Sequence, residues 1–152
     1  MLASESAIAT RLAAALAPRP VDVLPDKGYR FADPRGSAVV FASELSAGDV
    51  QEAGSSIQTA VATFDVVLFA RSLRGGAGVW DLFDAARRAL LSFKPCPGAT
   101  PLRLKSAKLL DAEASDTENW TLITQWQCLL PLIPDLDYDG GPLLTRVTFE
   151  EV

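Results

Sequence analysis

Two periodicities alternate along this chain. Over residues 4–17, Ile8, Leu12 and Leu16 recur every four positions with alanine filling most of the space between, the spacing of one buried helix face. Ser4 is placed to cap this helix and Glu5 to occupy its first turn. The "PRP" at 18–20 ends it. A second helix is predicted over 78–93. There Val79, Leu82, Phe83, Ala86, Ala89, Leu90 and Phe93 form one stripe, with Asp81, Asp84, Arg87 and Arg88 mostly opposite. Asp84 and Arg88 form an i,i+4 pair in the favourable order.

Elsewhere the period falls toward two. "VDVLP" (21–25) reads as a short strand and "SAVVFASE" (37–44) as a strand with apolar residues on both sides. The polar, glycine-containing stretch 45–58 reads as a mobile connection. Residues 59–73 are strongly β-prone through Val61, Phe64, Val66, Val67, Leu68 and Phe69. Over 101–113, Leu102, Leu104 and Ser106 oppose Arg103, Lys105 and Ala107. Over 120–132, Trp120, Leu122, Thr124, Trp126, Cys128 and Leu130 face one way. These last two runs, joined by "ASDTEN", predict a β-hairpin. Residues 133–142 read as a loop or extended arm and 143–152 as a terminal strand, with Leu144, Arg146, Thr148 and Glu150 on one side.

The fold class that follows is α+β: a single domain with a mostly antiparallel or mixed sheet packed against two helices. Its order is α-β-β-β-α-β-β, followed by a C-terminal arm or strand. The division expected is a domain over 1–134 and an acidic arm over 135–152.

Composition narrows the function classes. The chain has 152 residues, 49% hydrophobic and 22% charged, enough for one domain with a real core. No run approaches the roughly 20 apolar residues of a membrane span. The N-terminal stretch makes a poor signal peptide, since Glu5 lies near its front and Arg11 interrupts its apolar part, so a cytoplasmic product is expected. Cys96 and Cys128 are far apart and outside any C-x-x-C pair, which favours two reduced thiols. There is no histidine, which removes the commonest general base and transition-metal ligand. The net charge of −5 is unevenly spread: residues 1–110 carry 13 basic and 10 acidic side chains, whereas 111–152 carry nine acidic and one basic, Arg146. That balance disfavours binding to a phosphate backbone.

Three constellations invite chemistry. "RGGAGVWD", leading into the second helix, has the order of a phosphate-binding turn. It lacks the lysine and hydroxyl of a P-loop, and Asp81 stands where a dinucleotide fingerprint has its third glycine. Asp135, Asp137 and Asp139 have the spacing of a calcium loop with Gly140 in sixth position, but Arg146 replaces the closing glutamate. Trp120 and Trp126 share a strand face and read as core rather than as a stacking platform. No nucleophile has a base to partner it. The chain is therefore expected to hold no cofactor or metal and not to be an enzyme. Its compact domain, long loops and acidic C-terminal third suit an assembly protein.

The stretch "VVLFARSLRGGAGVWDLFDAARRALLSFKP", followed by "LRLKSAKLLDAEASDTENWTLITQWQCLLPLI", resembles the Mu-like phage tail terminator (tail completion) family. The likeness covers about residues 8–134 and lies in element order and helix-flanking texture; the arm after 134 falls outside it. The resemblance implies a small α/β fold that forms a homohexameric ring on the head-proximal end of the tail tube. Such a ring stops tube polymerisation and offers a docking surface for the head or neck. The implied partners are further copies of the chain, the tail tube protein, a head–tail connector or neck protein and, in a contractile tail, the sheath protein. DNA only passes through the channel, and the location is the virion, after assembly in the host cytoplasm. Another phage neck or head-completion connector protein is the alternative; a small-molecule or nucleic-acid binding domain ranks below both. Arg71 and Arg74, beside the glycine turn, and Asp49 and Glu52, in the polar connection, are expected at the ring or tube interface. Asp111, Glu113, Asp116, Glu118, Asp135, Asp137 and Asp139 are expected on an acidic lumen or rim, where like charge keeps DNA from adhering.

Overall fold

The computed structural model describes residues 1–28, 33–48, 58–110 and 119–132. Its elements are α1 (Leu2–Leu16), β1 (Val21–Val23), β2 (Ser37–Ala47), β3 (Gln58–Ala70), α2 (Val79–Leu90), β4 (Arg103–Leu109) and β5 (Trp120–Leu132). The fold class is the predicted one. Five strands form one sheet in the order β1-β2-β3-β5-β4. β1 and β2 are parallel, and every other pairing is antiparallel.

Strand alternation decides which side chains meet the helices. The inward residues of β3 are Ala60, Ala62, Phe64, Val66, Leu68 and Ala70, all buried. Directly opposite them on β5 lie Leu130, Cys128, Trp126, Thr124, Leu122 and Trp120. Ala38 and Val40 of β2 extend this layer, and Ile8, Leu12 and Leu16 of α1 and Val79, Leu82, Ala86 and Leu90 of α2 close over it. Trp126 is 0% exposed at the centre. Its indole Nε1 donates to Thr124 Oγ1 at 2.9 Å, and Thr124 Oγ1 donates to the Val66 carbonyl at 2.9 Å. The two polar groups on this face are thus satisfied by each other and by the β3 backbone, as burial requires.

Four details of the sequence reading change. Met1, not Ser4, is the N-cap of α1, and the Met1 carbonyl accepts from the amides of Ser4 (3.0 Å) and Glu5 (3.1 Å). The helix starts earlier than the cap residue suggested, so Ser4 turns inward and is buried. The polar connection is shorter than 45–58, because Leu45, Ser46 and Ala47 pair with Ala62, Val61 and Ala60, and Gln58 pairs with Leu132. α2 stops at Leu90, not Phe93. Ser92 adopts φ 68°, the left-handed conformation that ends helices, and Leu102 N donates to the Phe93 carbonyl at 2.8 Å. Finally, β4 does not keep its simple alternation. A register shift between Leu104 and Ser106 places Leu104 opposite Trp126 and Ser106 opposite Gln125, on opposite faces. One extra residue, Lys105, forms the bulge and reverses the parity after it.

Gly36 lies where the chain enters β2. Its φ is +97°, and a Cβ there would lie 2.7 Å from the Phe69 carbonyl oxygen, so only glycine fits both the backbone conformation and the close approach.

Candidate assembly surfaces

The glycine turn preceding α2 tests the phosphate-binding idea directly. An anion cradle needs free backbone amides at a helix N-terminus. Here Gly78 N donates to Gly75 O at 2.7 Å and Val79 N to Ser72 O at 2.9 Å; Asp81 N and Leu82 N both donate to Gly78 O at 3.1 Å. These four amides are occupied by the turn itself. Gly75 supplies a φ of +90°, and a Cβ on Gly78 would sit 2.7 Å from the Arg74 backbone. Gly75 and Gly78 are therefore required by the hinge that turns β3 into α2, with Asp81 in the first turn of that helix.

Around this hinge the fold gathers cations. Arg71 and Arg74 are exposed, and neither makes an ion pair among the described residues. The Arg19 guanidinium reaches the same corner from the end of α1. Its Nε donates to Arg35 O at 2.8 Å and its Nη2 to Gly76 O at 3.5 Å. Arg35 is neutralised locally by Asp33 at 2.8 Å. The hydrogen bonds from Arg35 hold the Asp33 carboxyl down at about 2. Trp80, on the first turn of α2, is 41% exposed and stacks edge-on to Phe83 at 5.9 Å and 89°. Arginine and tryptophan are residue types enriched where binding energy concentrates in protein interfaces. The sequence reading named Arg71 and Arg74 but not Arg19 or Trp80, which the fold brings to the same corner. Trp80 interrupts the polar side of α2, and that is the signal that could have drawn attention to it.

A second surface is the face of the sheet away from the helices. β3 contributes Val61, Thr63, Asp65, Val67 and Phe69, opposite Leu129, Gln127, Gln125, Ile123 and Thr121 of β5. Its middle is polar and bonded across strands. Ser43 Oγ donates to Asp65 Oδ1 at 2.8 Å, Gln127 Nε2 to Thr63 Oγ1 at 3.1 Å, and Ser106 Oγ to Gln125 Oε1 at 3.3 Å. Beside this network, Glu44, Ser46, Val61, Thr63, Arg103, Lys105 and Gln127 line a cleft of about 310 Å³. A third surface is the seam between the helices, a groove of about 420 Å³ lined by Arg11, Ala14, Ala15, Ala85, Arg88 and Ala89. Arg11 bridges it, donating to Ala89 O at 3.2 Å and lying 5.6 Å from the Phe93 ring centre.

The remaining site residues of the sequence reading, Asp49, Glu52, Asp111, Glu113, Asp116, Glu118, Asp135, Asp137 and Asp139, lie outside the described residues. So does the calcium-loop spacing. Among the described residues no three His, Cys, Asp or Glu side chains are grouped to hold a metal ion, and no helix is long and apolar enough to cross a membrane. Cys96 and Cys128 are both free thiols. Burial, with a smaller contribution from the neighbouring Cys96, pushes the Cys128 thiol up to about 11.

The family model described as Gp37 protein matches residues 8–151. The chain belongs to the Gp37 protein family. The match runs past residue 134, where the sequence resemblance stops, and so takes in most of the acidic C-terminal stretch. No curated protein matches this Gp37 family member. Among solved structures it is similar to a chain from the virion of a native gene transfer agent (GTA) particle, with a TM-score of 0.54 and 14% identity. That likeness covers 82% of this chain and 92% of the other. At that identity the shared property is the fold.

Proposed function

We propose that this Gp37 family member is a structural protein of a phage-like virion, and that within it the chain acts as a tail terminator. In this role copies of the chain form a ring on the head-proximal end of the tail tube, stop its growth and present a surface to the neck. The observation that carries the reading is the fold shared with a virion chain over nearly all of that chain's length. Family membership and the order of elements support it. The surfaces fit assembly rather than turnover: an arginine–tryptophan corner, a polar open sheet face, and glycine-turn amides committed to internal bonds. A head-to-tail contact that closes on itself generates a ring, and the hinge corner with Arg71, Arg74 and Trp80 is its proposed contact.

The test is capping. Purified tail tubes stop elongating when the chain is added; tubes that keep growing at the same rate refute the terminator role. Arg74→Glu reduces capping and ring formation in size-exclusion measurements while leaving thermal unfolding within about 0.5 kcal/mol of the parent, as expected for an exposed side chain. An unchanged ring removes the hinge corner from the interface.

A further inference from the structure

The two edges of the sheet differ in whether they can accept another strand. On the β2 side, β1 pairs with residues 38–40, and Leu24 N donates to Val40 O at 2.9 Å. Just beyond, Glu5 reaches from α1, and its Oε1 accepts from Ala42 N at 2.7 Å. A helix side chain therefore takes up an outward amide that an incoming strand would need. On the other side β4 pairs with β5, and among the described residues no strand lies beside its outer edge. Most of β4 is exposed. It carries Arg103, Lys105 and Lys108, none of them in an ion pair among the described residues.

An open edge lined with cations repels an unselected strand but suits an acidic one. This chain contains a segment of that charge. After β5 ends at Leu132, residues 133–152 carry Asp135, Asp137, Asp139, Glu150 and Glu151 against a single cation, Arg146. Within them, residues 143–149 alternate, with Leu143, Thr145, Val147 and Phe149 on one side and Leu144, Arg146 and Thr148 on the other, which is the pattern of a half-buried strand. The segment before it, "IPDLDYDGGP", is ten residues long and carries three aspartates. Ten residues at about 3.3 Å each reach about 33 Å, further than the roughly 19 Å across five strands.

We propose that residues 143–149 of one copy add as a strand to the β4 edge of the neighbouring copy, the carboxylates that flank them at 135–139 and 150–151 meeting Arg103, Lys105 and Lys108. The occupant is the arm of a second identical chain, and each copy both gives an arm and receives one. Main-chain hydrogen bonds supply the adhesion and charge supplies the choice of strand. The inference deepens the ring reading and rests on it, since it names a second link between subunits beside the hinge corner.

The experiment uses two full-length charge variants. One reverses the edge, with Arg103→Glu, Lys105→Glu and Lys108→Glu. The other reverses the arm, with Asp135→Lys, Asp137→Lys, Asp139→Lys, Glu150→Lys and Glu151→Lys. Mass in solution and hydrogen exchange at the amides of residues 103–109 are the readouts. Each variant alone carries like charges on edge and arm, and self-associates at least about tenfold more weakly than the parent. Mixed in equal amounts, the two variants are complementary in both directions, so association and protection of the β4 amides return. Variants that assemble like the parent, or a mixture that restores nothing, overturn the proposal, and the latter is the result expected if each arm folds back on its own chain. A parent chain that stays monomeric with unprotected β4 amides overturns it as well. Tube capping by the parent is scored separately. Capping without strand exchange leaves the terminator role standing, and failure of capping with intact exchange removes that role alone.

Discussion

The two faces of this sheet are built from the same strands and obey different rules. On the helix-covered face every described position near the centre is apolar except Thr124, which is bonded to Val66 O and to the Trp126 indole. On the open face, Asp65, Thr63, Gln125 and Gln127 sit among Val61, Val67 and Ile123 and are bonded across strands. Neighbouring residues of one strand thus serve a close-packed interior and a surface fit for contact. The covered face carries the core, while the open face holds polar groups bonded to one another, of which Thr63 and Asp65 are themselves buried.

The sharpest way to break the comparison is to delete the centre of the covered face. Trp126→Ala removes the largest fully buried side chain and leaves Thr124 with one bond fewer. It lowers unfolding free energy by about 3–5 kcal/mol, measured by denaturant titration. Glu5→Ala comes next. The Ala42 amide loses its acceptor, which costs about 1–3 kcal/mol, whereas Glu5→Gln keeps an acceptor oxygen and loses less. On the open face, Gln127→Ala removes one cross-strand bond to Thr63 and costs about 0.5–1.5 kcal/mol. If it rivals Trp126→Ala, the two faces are not different in kind.

The sequence made the covered face legible and the edges obscure, for a physical reason. Alternation in β5 and the stripe of α2 are repeated signals, so one misplaced residue does not hide them. A bulge is a single event. Lys105 gives no warning that it is an extra residue, and the parity of Ser106 was read wrongly because of it. Glu5 shows the same limit. Its place in the first turn was visible, but its bond to Ala42, 37 residues away, depends on the sheet edge reaching the helix. At the hinge the glycines were legible as a turn. That the amides of Gly78, Val79, Asp81 and Leu82 were spent on Gly75, Ser72 and Gly78 was not, because hydrogen-bond direction has no sequence pattern.

The smallest expected effect concerns Asp33, whose carboxyl Arg35 holds at about 2. A carboxyl whose folded value is depressed stabilises the fold above its unfolded value, near 3.8 here, and that contribution fades as pH falls toward 2. Asp33→Asn therefore lowers stability slightly at neutral pH and makes no difference below pH 2, a difference seen by comparing thermal unfolding of the two chains across that range.

The central ladder also sets a timetable. Phe64 pairs with Trp126, and every residue of β3 from Gln58 to Ala70 waits for a partner between Leu132 and Trp120. During synthesis β3 has β2 on one side and nothing on the other until the last of β5 has left the ribosome. Contacts so distant along the chain slow folding, and an unpaired apolar strand is open to other chains meanwhile. The chain thus passes through an interval in which its most β-prone segment lacks half of its bonds.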